Sequence, residues 1–322
     1  MRGEFHMRVT NEQLKSIYFG ALSFKETRVG FLRAFQYTEE QMDYFRNLPN
    51  SFWYDRCSAS SAKTLEFITS ATRVSFEYKL LWKGSADTVE LYVDGMVAAI
   101  RYVKDMGSEG VLSFDLPAGE KQVIIYLPAD ATLMIRNFEI NADYMPVQKG
   151  DKVLWIGDSI TQGYGPLRSS HTYVSVANRI LNYDILNQGI GGYVYDKNTM
   201  IPMEGYRPDK IIIAMGTNQY NAGTMDAVEE YYENLQRVYG NTPVLCVSPI
   251  WRGDHPENFA VFERFCGRVR EIAGQYPNVT VVDGFTLVPH LPEYYLDNLH
   301  PNCLGMELYG RNLAEAIKRV GF

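Results

Sequence analysis

The sequence is poor in the features that mark several protein classes. Its 322 residues include only four cysteines. Cys57, Cys246, Cys266 and Cys303 form no C-x-x-C pair, which argues against a disulfide scaffold or a zinc ribbon and leaves them expected as buried thiols. Positive charge is also scarce: 31 basic residues face 38 acidic ones, for a net charge of −7. Without a basic field, neither a nucleic-acid backbone nor an anionic membrane is an expected partner, and a small molecule is. No apolar run approaches bilayer length, and the opening MRGEFHMRVTNEQLKSIYFG has no apolar h-region or small-residue cleavage site. The expected location is therefore the cytoplasm. Of five histidines, His6, His171, His255 and His290 have no acidic residue three positions earlier and no helix-type metal spacing, so neither a metal nor a cofactor is expected.

What is present is the raw material of a large core, 46% hydrophobic against 21% charged, distributed in two textures. Up to about residue 145 the recurring unit is a short β-rich run closed by turn residues: TLEFIT, RVSFEYKLL, TVELYV, VAAIRYV, VLSFDL, KQVIIYL and TLMIRNFEI. Asp94-Gly95 suits a tight hairpin and Pro117-Ala118-Gly119 a longer one. Seven such runs predict an all-β sandwich of jelly-roll type. After MPVQKGD each apolar strand (KVLWIG, DILNQ, KIIIAMG, PVLCVSP, VTVVDG) is followed by a segment with helical spacing. Near-continuous apolar strands fit a sheet covered on both faces. Stripes at Met225/Val228/Leu235/Val238, Phe262/Phe265/Val269/Ile272 and Tyr309/Leu313/Ile317/Val320 mark helices, with Gly240 and Gly321 at expected C-caps. The expectation is two domains: a β-sandwich over 1–147, and over 148–322 a three-layer, doubly wound α/β unit with a parallel, flavodoxin-like sheet.

In such a sheet functional residues gather in loops at the carboxyl ends of the strands. The first strand ends in Gly157-Asp158-Ser159, the second in Asn187-Gln188-Gly189-Ile190-Gly191-Gly192 and the third in Gly216-Thr217-Asn218, while Asp297-Asn298-Leu299-His300-Pro301 follows the fifth. Each piece has a plain reading. Ser159 could be a helix N-cap or an exposed nucleophile at a helix N-terminus. Gly191-Gly192 could serve a tight turn or let a carbonyl approach a backbone amide. Asn218 could close an Asx-turn or donate to an oxyanion. Asp297 and His300, three apart, could be a surface pair, or a carboxylate that fixes an imidazole to take a serine proton, with Pro301 suited to the start of the last helix. Two common motifs are absent. Thr161 occupies the second glycine position of G-x-S-x-G, Val194 takes the third of the dinucleotide fingerprint, and no G-K-[ST] phosphate loop occurs.

Taken together, GDSITQGYG, NQGIGG, GTN and DNLH resemble the SGNH, or GDSL-like, hydrolase family over residues 151–322. The resemblance implies Ser159 as nucleophile, the Ser159 and Gly192 N–H groups and the Asn218 side chain as oxyanion donors, and Asp297 and His300 as the remaining catalytic pair. Family members often carry Asp where this chain has Tyr193 and Gln219. The β-rich half, TVELYVDG especially, resembles jelly-roll modules that precede such domains in bacterial carbohydrate esterases.

The expected function is a serine ester hydrolase acting through an acyl-enzyme on small acyl esters, acetyl foremost, most readily on carbohydrates. Many aromatics, 23 Tyr and 4 Trp, suit sugar stacking or simply fill the core. Trp251 and Arg252, in SPIWRGD after the fourth strand, and Tyr193 are the candidates to line a substrate pocket. Two alternatives remain at this level: a lipase or thioesterase of the same family, and a carbohydrate-binding protein with a decayed site. The β domain could bind sugar, wall the active site or join copies into a homo-oligomer.

Overall fold

The computed structural model describes residues 7–85 and 87–322, so His6 lies outside it. Residues 7–146 build two antiparallel sheets. One runs, in spatial order, Ser23–Glu26, Leu32–Phe35, Ala131–Ile140, Arg73–Lys83 and Glu109–Asp115, with Met7–Val9 also paired to Ala131–Ile140. The other runs Tyr144–Pro146, Thr64–Thr69, Lys121–Tyr126, Thr88–Val93 and Met96–Tyr102, with Tyr18–Phe19 on Thr64–Thr69. All seven expected runs are strands. The turn between Thr88–Val93 and Met96–Tyr102 takes Asp94 and Gly95 through positive φ, as a two-residue hairpin of matching twist requires. The sheets face each other across one core, where Phe138 stacks on Phe76 at 6.1 Å and meets Phe67 edge-on at 6.0 Å.

The pleat explains a pattern that looks imperfect in the sequence. Arg73–Lys83 alternates buried and less buried positions, because one of its faces meets solvent. Thr88–Val93 is buried at every position, because its outer face lies against the α/β half. There the polar residues are paired: Glu90, fully buried, takes an ion pair from Arg168, and Thr88 accepts from the Ser169 N–H at 3.0 Å. Lys149 closes on Glu66 at 2.6 Å on the same side.

The second half is a five-stranded sheet in the order Asp184–Gly189, Lys152–Gly157, Lys210–Ala214, Val244–Val247 and Val279–Val282, every pairing parallel. Alternate residues of the central strands enter different cores. Leu154, Ile156, Ile211 and Ile213 pack with Val228, Leu235, Phe265 and Val269 from the helices Asp226–Tyr239 and Phe259–Ala273. Val153, Trp155 and Ile212 pack with Val174, Leu313 and Ile317 from Tyr173–Leu181 and Cys303–Val320. Burial on both faces is why these strands read as unbroken apolar runs. Gly240 and Gly321 cap their helices as expected, whereas Val320 at the end of its stripe stays exposed. Of the four thiols expected to be buried, Cys57, Cys246 and Cys266 are, whereas Cys303 is only half-buried. Among the described residues no helix is long and apolar enough to cross a membrane.

Candidate active site

The first parallel strand ends at Gly157 and the chain turns at once into a one-turn helix, Ser159–Gln162. The cap of that helix is Asp158, whose carboxylate accepts from the Ile160 N–H at 3.0 Å. Capping is thus done by the neighbour, and the Ser159 hydroxyl is free for something else. It lies 2.9 Å from His300 Nε2. On the far side of the ring, His300 Nδ1 is 2.8 Å from Asp297 Oδ2, while the His300 and Leu299 N–H groups donate to Asp297 Oδ1 at 2.7 and 3.0 Å. The loop therefore grips one carboxylate through three donors. Partial burial works against the charged carboxylate, but the hydrogen bonds from His300 outweigh it and hold Asp297 below its usual pKa. With Nδ1–H donated to Asp297, Nε2 is left as an acceptor toward the serine.

Two further contacts hold the imidazole. Tyr164 meets it edge-on at 4.6 Å between ring centres. Gly165, at φ +124, brings the serine loop so close that a Cβ there would lie 2.3 Å from the Pro301 carbonyl oxygen. Only glycine fits that approach. Tyr164 was not singled out from the sequence, although it sits within GDSITQGYG. Pro301 stands one residue before the true N-cap of the last helix, Asn302, which accepts from the Leu304 and Gly305 N–H groups.

The expected oxyanion donors come to the same place. The Ser159 and Gly192 N–H groups have no partner among the described residues, and Gly192 takes φ +73. Asn218 donates one amide hydrogen to the Tyr193 carbonyl at 2.9 Å, which fixes its side chain and leaves the second hydrogen available. Gln219, where relatives of the resembled family often have Asp, still braces this region: its Oε1 accepts from the Tyr195 N–H.

Ser159, Gly192, Asn218, Asp297 and His300 all line one cavity of 370 Å³. Its opposite wall was not legible in the sequence: Phe52 and Arg56 come from the short helix Phe52–Arg56, and Gly84, Ser85 and Asp130 from the β-rich half. The Arg56 guanidinium lies 3.6 Å from the Phe52 ring centre and 5.1 Å from that of Trp82.

The three pocket candidates sit elsewhere, none of them among the cavity's lining residues. Tyr193 is buried, its hydroxyl on Thr199 and its ring 5.1 Å from Trp53. Trp251 stacks on His290 at 5.7 Å and abuts Tyr295. Arg252, only 8% exposed, forms a two-point pair with Asp254 and donates to the Thr217 carbonyl and hydroxyl at 2.7 and 3.1 Å. It braces the residue before Asn218 from beneath rather than facing a ligand.

Comparison with known proteins gives a family match and a shared fold. Residues 155–308 match the GDSL-like Lipase/Acylhydrolase family. No curated protein sequence matches the chain. Among solved structures, the salicylyl-acyltransferase SsfX3 from a tetracycline biosynthetic pathway superposes with a TM-score of 0.78 at 19% identity, over 100% of this chain and 98% of that one. An acetyl xylan esterase from Butyrivibrio proteoclasticus gives 0.65 at 15% identity over 98% of each chain. A family two carbohydrate esterase from Clostridium thermocellum, in complex with cellohexaose, gives 0.64 at 17% identity over 82% of this chain and 94% of that one. At these identities the structural likeness is one of fold. The family match gives the α/β half a GDSL-like lipase/acylhydrolase domain at residues 155–308, which supports a carboxylic ester hydrolase.

Proposed function

We propose that this protein is a serine esterase that removes short acyl groups, acetyl foremost, from carbohydrates, with residues 148–322 carrying the chemistry and residues 1–147 forming an accessory β-sandwich. The observation that carries the reading is the unbroken chain Ser159 Oγ, His300 Nε2, His300 Nδ1, Asp297 Oδ2, with 2.9 and 2.8 Å at its two hydrogen bonds. His300 takes the Ser159 proton as the oxygen attacks the ester carbonyl, and Asp297 stabilises the imidazolium that forms. The negative oxygen of the tetrahedral intermediate receives hydrogen bonds from the Ser159 N–H, the Gly192 N–H and the Asn218 side chain. Collapse expels the alcohol, protonated by His300, and leaves an acyl group on Ser159. Water, deprotonated by His300, then releases the acid and restores the hydroxyl.

Substrate size is supported by the cavity. At 370 Å³, with Phe52 and Leu299 the only aliphatic or phenyl side chains among its described lining residues, it suits an acetyl group and part of a sugar ring better than a long acyl chain, which needs a continuous apolar lining. The fold shared with an acetyl xylan esterase and with a carbohydrate esterase seen with cellohexaose supports the same choice. The likeness to a salicylyl-acyltransferase supports a second outcome for the acyl-enzyme, capture by an alcohol in place of water. The test is an acetyl-release screen over acetylated mono- and oligosaccharides, with Ser159→Ala as control and acceptor alcohols added in parallel. Release that depends on Ser159 is expected; a Ser159→Ala variant as active as the wild type would end the proposal.

A further inference from the structure

Gln162, the last residue of the helix that begins with Ser159, is 2% exposed and uses both ends of its amide. Its Nε2 donates to Asp130 Oδ1 at 2.7 Å, and its Oε1 accepts from the Gly191 N–H at 2.8 Å. The assignment of the two ends follows from chemistry, because a carboxylate can only accept and a backbone N–H can only donate. Asp130 belongs to the β-rich half, in the connection between Lys121–Tyr126 and Ala131–Ile140. It is itself anchored: its Oδ2 accepts from the Ser85 N–H and hydroxyl, both at 2.7 Å, and its own N–H donates to Asp87 Oδ2 at 2.8 Å.

We propose that Asp130 is a positioning residue for the oxyanion hole, acting through Gln162 to fix the Gly191 amide and with it the adjoining amide of Gly192. The inference rests on the esterase reading above. A Gly-Gly step is the most pliable in any chain, and an oxyanion donor is useful only if it is held where the charge will form. The loop is pinned on both sides of the step. Ahead of it Gly189 N–H donates to Asn187 Oδ1 at 2.9 Å; after it Tyr193 N–H donates to the Ile190 carbonyl at 3.1 Å, and the Tyr193 carbonyl accepts from Asn218. Between these fixed points lie the Gly191 and Gly192 N–H groups, and Gln162 holds the first of them. Because Gly191 is occupied, Gly192 alone supplies this loop's donor. The β-sandwich thereby takes part in transition-state stabilisation without touching the reacting atoms.

The experiment is a double-mutant cycle on Asp130→Ala, Gln162→Met and the pair, read with 4-nitrophenyl acetate and with 2,2,2-trifluoroacetophenone, a ketone that the serine converts to a tetrahedral oxyanion. Each single variant is expected to lower kcat by roughly ten- to a hundredfold with KM within about threefold, and to weaken the ketone by a matching factor. The pair is expected to be no worse than Gln162→Met alone, since both substitutions cut one chain. Asp130→Asn, which still offers an oxygen to Gln162, should keep at least about a third of wild-type kcat and carries the comparison if Asp130→Ala does not fold. Losses that multiply in the pair overturn the relay, as does a fall in melting temperature with kcat and ketone affinity unchanged. If the wild type neither turns over the acetate nor binds the ketone, the esterase reading fails first; if it does both and the variants match it, the relay alone is wrong.

Discussion

Ser159 Oγ and His300 Nε2 are 141 residues apart in the chain and 2.9 Å apart in space. Two strand-end loops of one parallel sheet meet there, and the contact needs an unprotonated Nε2 to take the serine proton. Asp297 stays ionised to below the ordinary carboxylate range, its hydrogen bonds from His300 prevailing over partial burial. As an imidazolium, His300 could not accept the serine proton. Asp297→Asn should lower kcat by roughly a hundredfold or more, because the ring loses the partner that fixes its tautomer.

Asp158 gives a separate effect, on stability. Burial pushes its carboxyl up to about 7, so the folded chain holds that proton more tightly than the unfolded one. The resulting stability is complete below the ordinary carboxylate pKa and is lost as pH rises through about 7. Replacing Asp158 with Asn keeps an oxygen for the Ile160 N–H and removes the titration. Urea unfolding should find the variant gaining on the wild type between about pH 4 and about pH 7, by up to about 4 kcal/mol at about 1.4 kcal/mol per pKa unit. Asp87, pushed by burial up to about 6, slopes the same way but is common to both proteins and cancels in the difference. A constant difference across that range would contradict this account.

Arg252→Ala should hurt activity from a distance. It removes the two hydrogen bonds to Thr217 and leaves Asp254 without its partner. Loss of a mostly buried pair of this kind costs about 3 kcal/mol, visible as a lower melting temperature. Since Thr217 precedes Asn218, kcat should also fall by roughly tenfold with KM little changed. An unaltered kcat in a destabilised variant would separate the brace from the oxyanion hole.

The quartet of motifs was legible because each is local: a glycine-aspartate-serine turn, a glycine loop, an asparagine and an Asp/His pair carry their chemistry within a few residues. The sandwich strands were legible for the same reason, since alternation and turn residues are short-range. What escaped depends on packing. Phe52, Arg56, Ser85 and Asp130 enter the cavity because the β-rich half docks on the sheet end, and nothing beside them in the chain marks that. Trp251 and Arg252 follow a strand end as an active-site residue would. Yet His290 and Tyr295 stack against the tryptophan, and Thr217 and Asp254 claim the guanidinium. Position along the chain cannot show which way a loop turns its side chains.

Acyl length offers a further check on the cavity. With the same leaving group, kcat/KM should be highest for acetate, lower for butyrate, and at least about tenfold lower for octanoate, because forcing extra methylenes against a filled wall costs about 1 to 3 kcal/mol. A preference for octanoate would instead point to a lipase or thioesterase.

The most direct test of the central claim is to label the protein with a fluorophosphonate and map the adduct by mass spectrometry. The account predicts a single phosphonyl group on Ser159, formed at the rate at which esterase activity disappears and suppressed when His300 is replaced by alanine. Failure of Ser159 to react in folded protein, or full loss of activity from an adduct elsewhere, would contradict it.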